Sequence, residues 1–183
     1  MDKKLILITS QYRSRGTWLY NVIRILLIKL YGQDMVYGCY SDIYDENNHC
    51  DFHVVKTHEF LPNLLERADL VLSSSRDISG IIESFERFHG ITYSESEIME
   101  LLVGSKKSNE FRTDLHFQFD EINNKGELDI LFDIIYIAFK KGVFDASKST
   151  FDWTDVLIEV DKIPVPEIFD TITLLHPKHR NDR

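Results

Sequence analysis

Leu5-Ile6-Leu7-Ile8-Thr9-Ser10-Gln11-Tyr12-Arg13-Ser14-Arg15-Gly16-Thr17-Trp18-Leu19 changes character twice. Leu5 to Ile8 is a short apolar run without alternation, the pattern of a strand buried on both faces of a parallel sheet. Thr9 to Arg15 is polar and irregular. From Gly16 onward Leu19, Val22, Ile23, Leu26, Leu27 and Leu30 recur at three- and four-residue steps until Gly32, which predicts a helix. A strand that empties through a polar loop into a helix N-terminus gathers unpaired backbone N–H groups and the positive end of the helix dipole, and so suits an anion. The loop is not the Gly-x-x-x-x-Gly-Lys-Ser/Thr loop of ATPases and GTPases: Gln11 stands at the first glycine, and Thr17-Trp18 follow Gly16 in place of Lys-Ser/Thr.

Outward from this unit, strands alternate with helices. Residues 35–40, 52–56 and 69–73 read as strands, and 155–160 as a late one. Helical spacing marks 78–88, with Ile81, Ile82, Phe85 and Phe88 on one face, and further helices are expected at 95–103, 128–139 and 166–175. Residues 104–109 and 123–126 read as loops, and 176–183 as a polar tail. The expected fold is a single α/β domain over 1–183, three-layered and doubly wound around a mostly parallel sheet.

The chain has 183 residues, 43% of them hydrophobic and 28% charged, which is ordinary globular composition. Its net charge of −9, from 21 basic and 30 acidic side chains, argues against nucleic acid as a partner. Charge is unevenly spread: residues 3–33 contain no acid, but hold Lys3, Lys4, Arg13, Arg15, Arg24 and Lys29. An acidic protein with one basic segment points to a small anion. The apolar residues of 18–30 are interrupted by Asn21, Arg24 and Lys29, so no membrane span is expected, and the cytoplasm is the expected location. Cys39 and Cys50 read as reduced thiols. His49, Cys50 and His53 straddle a loop and a strand and lack an evident fourth ligand, so no metal site is expected. Phe111, Phe117 and Phe119 read as core or pocket-lining residues.

Residues 12–19 resemble the sulfotransferase signature Pro-Lys-Ser-Gly-Thr-Thr-Trp-Leu, in which backbone amides and one cation grip the 5'-phosphosulfate of 3'-phosphoadenosine 5'-phosphosulfate (PAPS). The alignment sets Arg13 at the cation, Ser14 at the serine, Thr17 at the second threonine and Trp18 at the tryptophan that packs near the adenine in that family. Tyr12 replaces the proline, and Arg15-Gly16 displaces the glycine by one position. Arginine at the cation position supplies a permanent charge and several donors for phosphate or sulfonate oxygens.

Two further segments extend the resemblance, which covers residues 3–89 with a fainter echo at 153–163. Arg76, followed eight residues later by Ser84, is similar to the arginine and serine that hold the 3'-phosphate. Lys56-Thr57-His58 resembles the Lys-Thr-His segment in which histidine takes the acceptor's proton and lysine holds the transferring group. An imidazole, with an unperturbed pKa of about 6.5, suits removal of an alcohol proton as its oxygen attacks sulfur. A cation beside the donor neutralises charge building on the bridging oxygen. Glu59 is a rival base, since several branches of the family use glutamate.

The resemblance implies metal-free sulfuryl transfer from PAPS to a hydroxyl or amine on a small-molecule or carbohydrate acceptor. Arg13, Ser14, Arg15, Gly16, Thr17 and Trp18 would hold the donor's 5' end, Arg76 and Ser84 its 3'-phosphate, and His58, Lys56 and Arg13 would carry the transfer. The family's Arg-Lys-Gly-x-x-Gly-x-Trp loop has no counterpart after Ser108. Two alternatives stand beside this reading: a nucleotide-binding module of the same fold without turnover, and a small-metabolite kinase with a degenerate loop. The acceptor pocket is expected from residues 37–50 and 90–124.

Overall fold

A computed structural model of the chain describes residues 3–163. Five strands, β1 (Lys4–Thr9), β2 (Val36–Tyr40), β3 (Phe52–Thr57), β4 (Leu70–Ser75) and β5 (Leu115–Gln118), form one sheet in the order β2-β3-β1-β4-β5. Every pairing is parallel, with Ile6 opposite Val54 on one side and Leu70 on the other. Eight α-helices accompany them among the described residues: α1 (Gly16–Tyr31), α2 (Pro62–Arg67), α3 (Ile78–His89), α4 (Glu95–Leu101), α5 (Val103–Phe111), α6 (Phe119–Lys125), α7 (Glu127–Lys140) and α8 (Thr154–Asp161). The protein is therefore α/β with an all-parallel sheet.

The uninterrupted apolar run of β1 is explained by burial on both faces. Ile6 and Ile8 join Val54, Leu70 and Leu72 in a core with Leu19, Val22, Ile23, Leu26 and Leu27 of α1, Leu131 and Ile134 of α7, and Val156 of α8. Leu5 and Leu7 point the other way, packing with Val55 and Val71 against Leu65 of α2. Each such side chain contributes roughly 1.5–3 kcal/mol by leaving water. The chain steps from β1 out to β2, returns through β3, and passes to β4 on the far side of β1. This reversal falls at β1 and β4, and it is at the C-terminal strand ends beside such a reversal that open α/β sheets bind ligands.

Several local expectations are corrected. Residues 155–160 lie in helix α8: Val156 and Val160, four apart, are both buried against the core beside α1, and Lys29 pairs with Glu159 at 2.6 Å. Residues 104–109 lie in α5. Its glycine is there for close approach, since a Cβ on Gly104 would fall 2.5 Å from the His58 carbonyl oxygen and 2.9 Å from Glu59 Cα. Residues 123–125 belong to α6, and only Gly126, at φ +92°, breaks the chain before α7. Strand β4 runs two residues past the expected end, to Ser75, and residues 95–103 divide between α4 and α5. The short edge strand β5 and helix α2, which opens on Pro62, are additions. The expected helix at 166–175 and tail at 176–183 lie outside the described residues.

Candidate functional site

The β1–α1 loop is fastened before any ligand arrives. Gln11 N–H donates to the Ser74 carbonyl at 2.9 Å. Ser14 is fully buried, its hydroxyl 2.7 Å from the Gln11 carbonyl, 3.1 Å from the Ser74 carbonyl and 2.9 Å from Ser74 Oγ. The turn is completed by two left-handed arginines, Arg13 at φ 57° and Arg15 at φ 65°. A non-glycine residue held there costs on the order of 1 kcal/mol, a cost that clusters at ligand clamps. Gly16 then starts α1 in contact with β1's extension: a Cβ would sit 1.8 Å from Ser10 Oγ. Helix α1 has no acidic residue in its first turn and no side-chain cap, so its leading N–H groups remain available to an anion.

Arg13 and Arg76 meet over this loop. Arg13 Nε donates to Ser84 Oγ at 2.9 Å, and Arg76 Nη1 reaches the Arg13 carbonyl at 3.5 Å. Each guanidinium lies over a ring, Arg13 over Phe88 at 4.6 Å and Arg76 over Phe119 at 4.0 Å. Burial, reinforced by Arg76, pushes the Arg13 pKa down. Arg76 Nε is buried without a hydrogen-bond partner. The backbone holds the pair in register: Arg76 N–H donates to Gln11 Oε1 at 3.0 Å, and Asp77 caps α3 by accepting from Gly80 N–H at 2.8 Å, which orients Ser84 two turns on.

Lys56 and His58 stand at the end of β3. Lys56 is 3% exposed; its Nζ donates to Tyr40 Oη at 3.2 Å and to His58 Nε2 at 3.1 Å. Burial, then Arg13, lower its pKa to about 7. His58 Nδ1 lies 2.7 Å from the Ser10 carbonyl, which only accepts, so Nδ1 carries a hydrogen, and in the neutral ring the lone pair is on Nε2. Tyr12 stacks on the imidazole at 4.0 Å and 19°. Glu59 is exposed, with its N–H on Thr57 Oγ1 and its carbonyl bonded by Ser108 Oγ.

The remaining sequence candidates divide. Thr17 acts to lower the pKa of Tyr40, which burial raises by more. Arg15 turns away to pair with Glu127 at 2.7 Å. Trp18 packs partly buried against the main core, its Nε1 buried without a hydrogen-bond partner and Arg15 5.8 Å from its ring. Ser14's hydroxyl is taken up inside the loop, which leaves its backbone for a ligand. Sequence reasoning missed Tyr12, Tyr40 and Gln11. Tyr40 ends a strand beside β3, the one positional signal that pointed to it. Cys39 and Cys50 are buried free thiols. Both His53 nitrogens are engaged, by Tyr44 Oη and the Cys50 carbonyl, and no metal-holding cluster occurs among the described residues. A cleft of about 280 Å³ lies at the opposite end of the sheet, where Lys4–Asp69 and Arg67–Glu46 already pair their charges. The β1–α1 site is defined by charge and backbone geometry. No helix among the described residues is long and apolar enough to cross a membrane.

No protein-family model matches the chain, and no curated protein matches it.

Proposed function

We propose that the protein is a PAPS-dependent sulfotransferase of compact P-loop-like fold, moving a sulfuryl group to a hydroxyl or amine of a small-molecule or carbohydrate acceptor. The observation that carries this reading is the Arg13–Ser84 hydrogen bond at 2.9 Å, with Arg76 beside it. It joins two segments seventy-one positions apart that sequence resemblance assigns to the two ends of one donor. The uncapped start of α1, the two adjacent guanidiniums and the unpartnered Arg76 Nε suit a ligand with phosphates at both ends. Arg13 and Arg76 would neutralise the donor, and the N–H groups opening α1 would receive its 5' oxygens. His58 Nε2 would accept the acceptor's proton while Lys56 steadied the leaving oxygen.

One observation favours a second reading, a nucleotide-binding module without turnover: the basic nitrogen of His58 is occupied by Lys56. Calorimetry separates the readings from a kinase. Titration with 3'-phosphoadenosine 5'-phosphate should give tighter binding than ATP with magnesium, and PAPS with an acceptor panel should then release labelled sulfate into product. Preference for ATP would overturn the sulfotransferase reading; nucleotide binding with no transfer to any acceptor would establish the module.

A further inference from the structure

The surroundings of Lys56 fit an amine better than an ammonium. Tyr40 faces it from β2, Arg13 from the β1–α1 loop and His58 from the end of its own strand. Gly16 of α1 sits against its chain, since a Cβ there would lie 3.4 Å from Lys56 Cε. Tyr20 of α1, Asp42 and Tyr12 act electrostatically on Tyr40, and no carboxylate among the described residues pairs with Lys56. Two acceptors, Tyr40 Oη and His58 Nε2, match the two hydrogens of a neutral amine. The hydrogen bonds of Lys56 among the described residues are these two, so the third N–H of an ammonium would be left without one, in a side chain that is 3% exposed. Protonation is correspondingly disfavoured, with the pKa lowered to about 7. The same contact closes His58, whose Nδ1–H is committed to Ser10 and whose lone pair at Nε2 receives Lys56.

We propose that Lys56 and His58 form a ligand-operated latch, in which an oxyanion seated on the β1–α1 loop draws Lys56 Nζ off His58 Nε2 as an ammonium, with one proton taken from solvent. The inference rests on the functional reading above. No covalent bond changes: the amine gains a proton from water or buffer, and its third N–H gains the anion's oxygen as acceptor. Lys56 then no longer occupies Nε2, which can accept from an acceptor hydroxyl. The base becomes competent only once the donor is seated, and His58 is a positioning partner for Lys56 until that moment.

The test is calorimetric titration of the full chain with 3'-phosphoadenosine 5'-phosphate at about pH 8, in two buffers of different ionisation enthalpy; uptake of about one proton per nucleotide is expected, because anion binding raises the Lys56 pKa from its free value. At that pH the ligand's own phosphates, with second pKa values of about 6, are already ionised. Lys56→Met should abolish the uptake, with affinity falling about tenfold for the lost charge-assisted contact. His58→Gln should bind and retain the uptake, since the proton goes to the amine. Binding without uptake in the wild-type protein overturns the latch alone, and so does loss of uptake in His58→Gln. Should Lys56→Met fail to fold, the wild-type and His58→Gln titrations still decide. No heat at all overturns the latch together with the nucleotide-site reading.

Discussion

Arg13 and Ser84 are joined side chain to side chain, Nε to Oγ at 2.9 Å, although one belongs to the β1–α1 loop and the other lies mid-helix in α3. The serine thereby aims the arginine, and an anion would meet one assembled group. Arg13→Ala and Arg76→Ala should each weaken binding of 3'-phosphoadenosine 5'-phosphate by about 10- to 100-fold, the range for lost hydrogen bonds to charged groups. Ser84→Ala should cost less, about threefold to tenfold, and should cost almost nothing further in an Arg13→Ala background. Calorimetry on the four proteins completes the cycle, and strictly additive losses would show that Ser84 does not act through Arg13.

Gly16 is fixed by Ser10. With Ser10 Oγ 1.8 Å and Ser10 Cβ 2.2 Å from the position of an added Cβ, Gly16→Ala should destabilise the fold by about 2–3 kcal/mol, the upper part of the range for overpacking. The double variant Ser10→Gly, Gly16→Ala removes the obstacle and should recover most of the loss in thermal unfolding. An unchanged Tm in Gly16→Ala alone would mean that the β1–α1 junction yields.

The junction also marks how far the sequence could be read. An apolar run without alternation is a strong signal for a two-face-buried parallel strand, so β1, β3 and most of β4 were legible, as were α1, α3 and α7 from their spacing. The strand expected at 155–160 is part of helix α8, where Val156 and Val160, four residues apart, are the buried pair. Gly104 failed because a glycine that admits a neighbouring backbone has the same letter as one that turns the chain. Arg13, Arg76, Ser84, Lys56 and His58 were singled out by resemblance to a family's motifs, and the fold brings Arg13 to Arg76 and Ser84, and Lys56 to His58. Tyr12, Tyr40 and Gln11 were not: their contribution is a stacking face, a hydroxyl and an amide whose partners lie on other elements, and no local pattern encodes such partners.

Lys56 should impose a specific pH dependence on stability. Its native pKa, about 7, lies below the ordinary 10.5, so between these values the unfolded chain binds more protons and stability rises with pH. Below about 7 the native state carries the full cost of a buried ammonium. Lys56→Met should therefore raise Tm by several degrees at about pH 6, with the advantage shrinking steadily toward pH 10.5. Thermal scans of both proteins across this range check it, and an advantage that grew with pH would contradict the lowered pKa.

Helix α5 lies against the loop that carries His58, through Gly104 and through Ser108, whose hydroxyl is 3.2 Å from the Glu59 carbonyl. Gly104→Val would set a branched side chain where even a Cβ meets the His58 carbonyl at 2.5 Å. The expected result is a loss of about 3 kcal/mol in unfolding free energy together with a displaced His58 imidazole signal by NMR. Ser108→Ala should lower stability by about 1 kcal/mol, with the imidazole signal unmoved. A Gly104→Val protein with wild-type stability would show that α5 can stand off from the loop.

Ser14 spends its hydroxyl on the Gln11 and Ser74 carbonyls and on Ser74 Oγ, all inside the molecule. The loop is in effect cast in the mould of β4 rather than in that of its ligand. A surface already frozen has little disorder left to surrender, so association with a matching anion should be quick, carry little entropic penalty for the loop, and discriminate by template fit. An oxyanion of the wrong size would be turned away by a frame that does not bend to meet it.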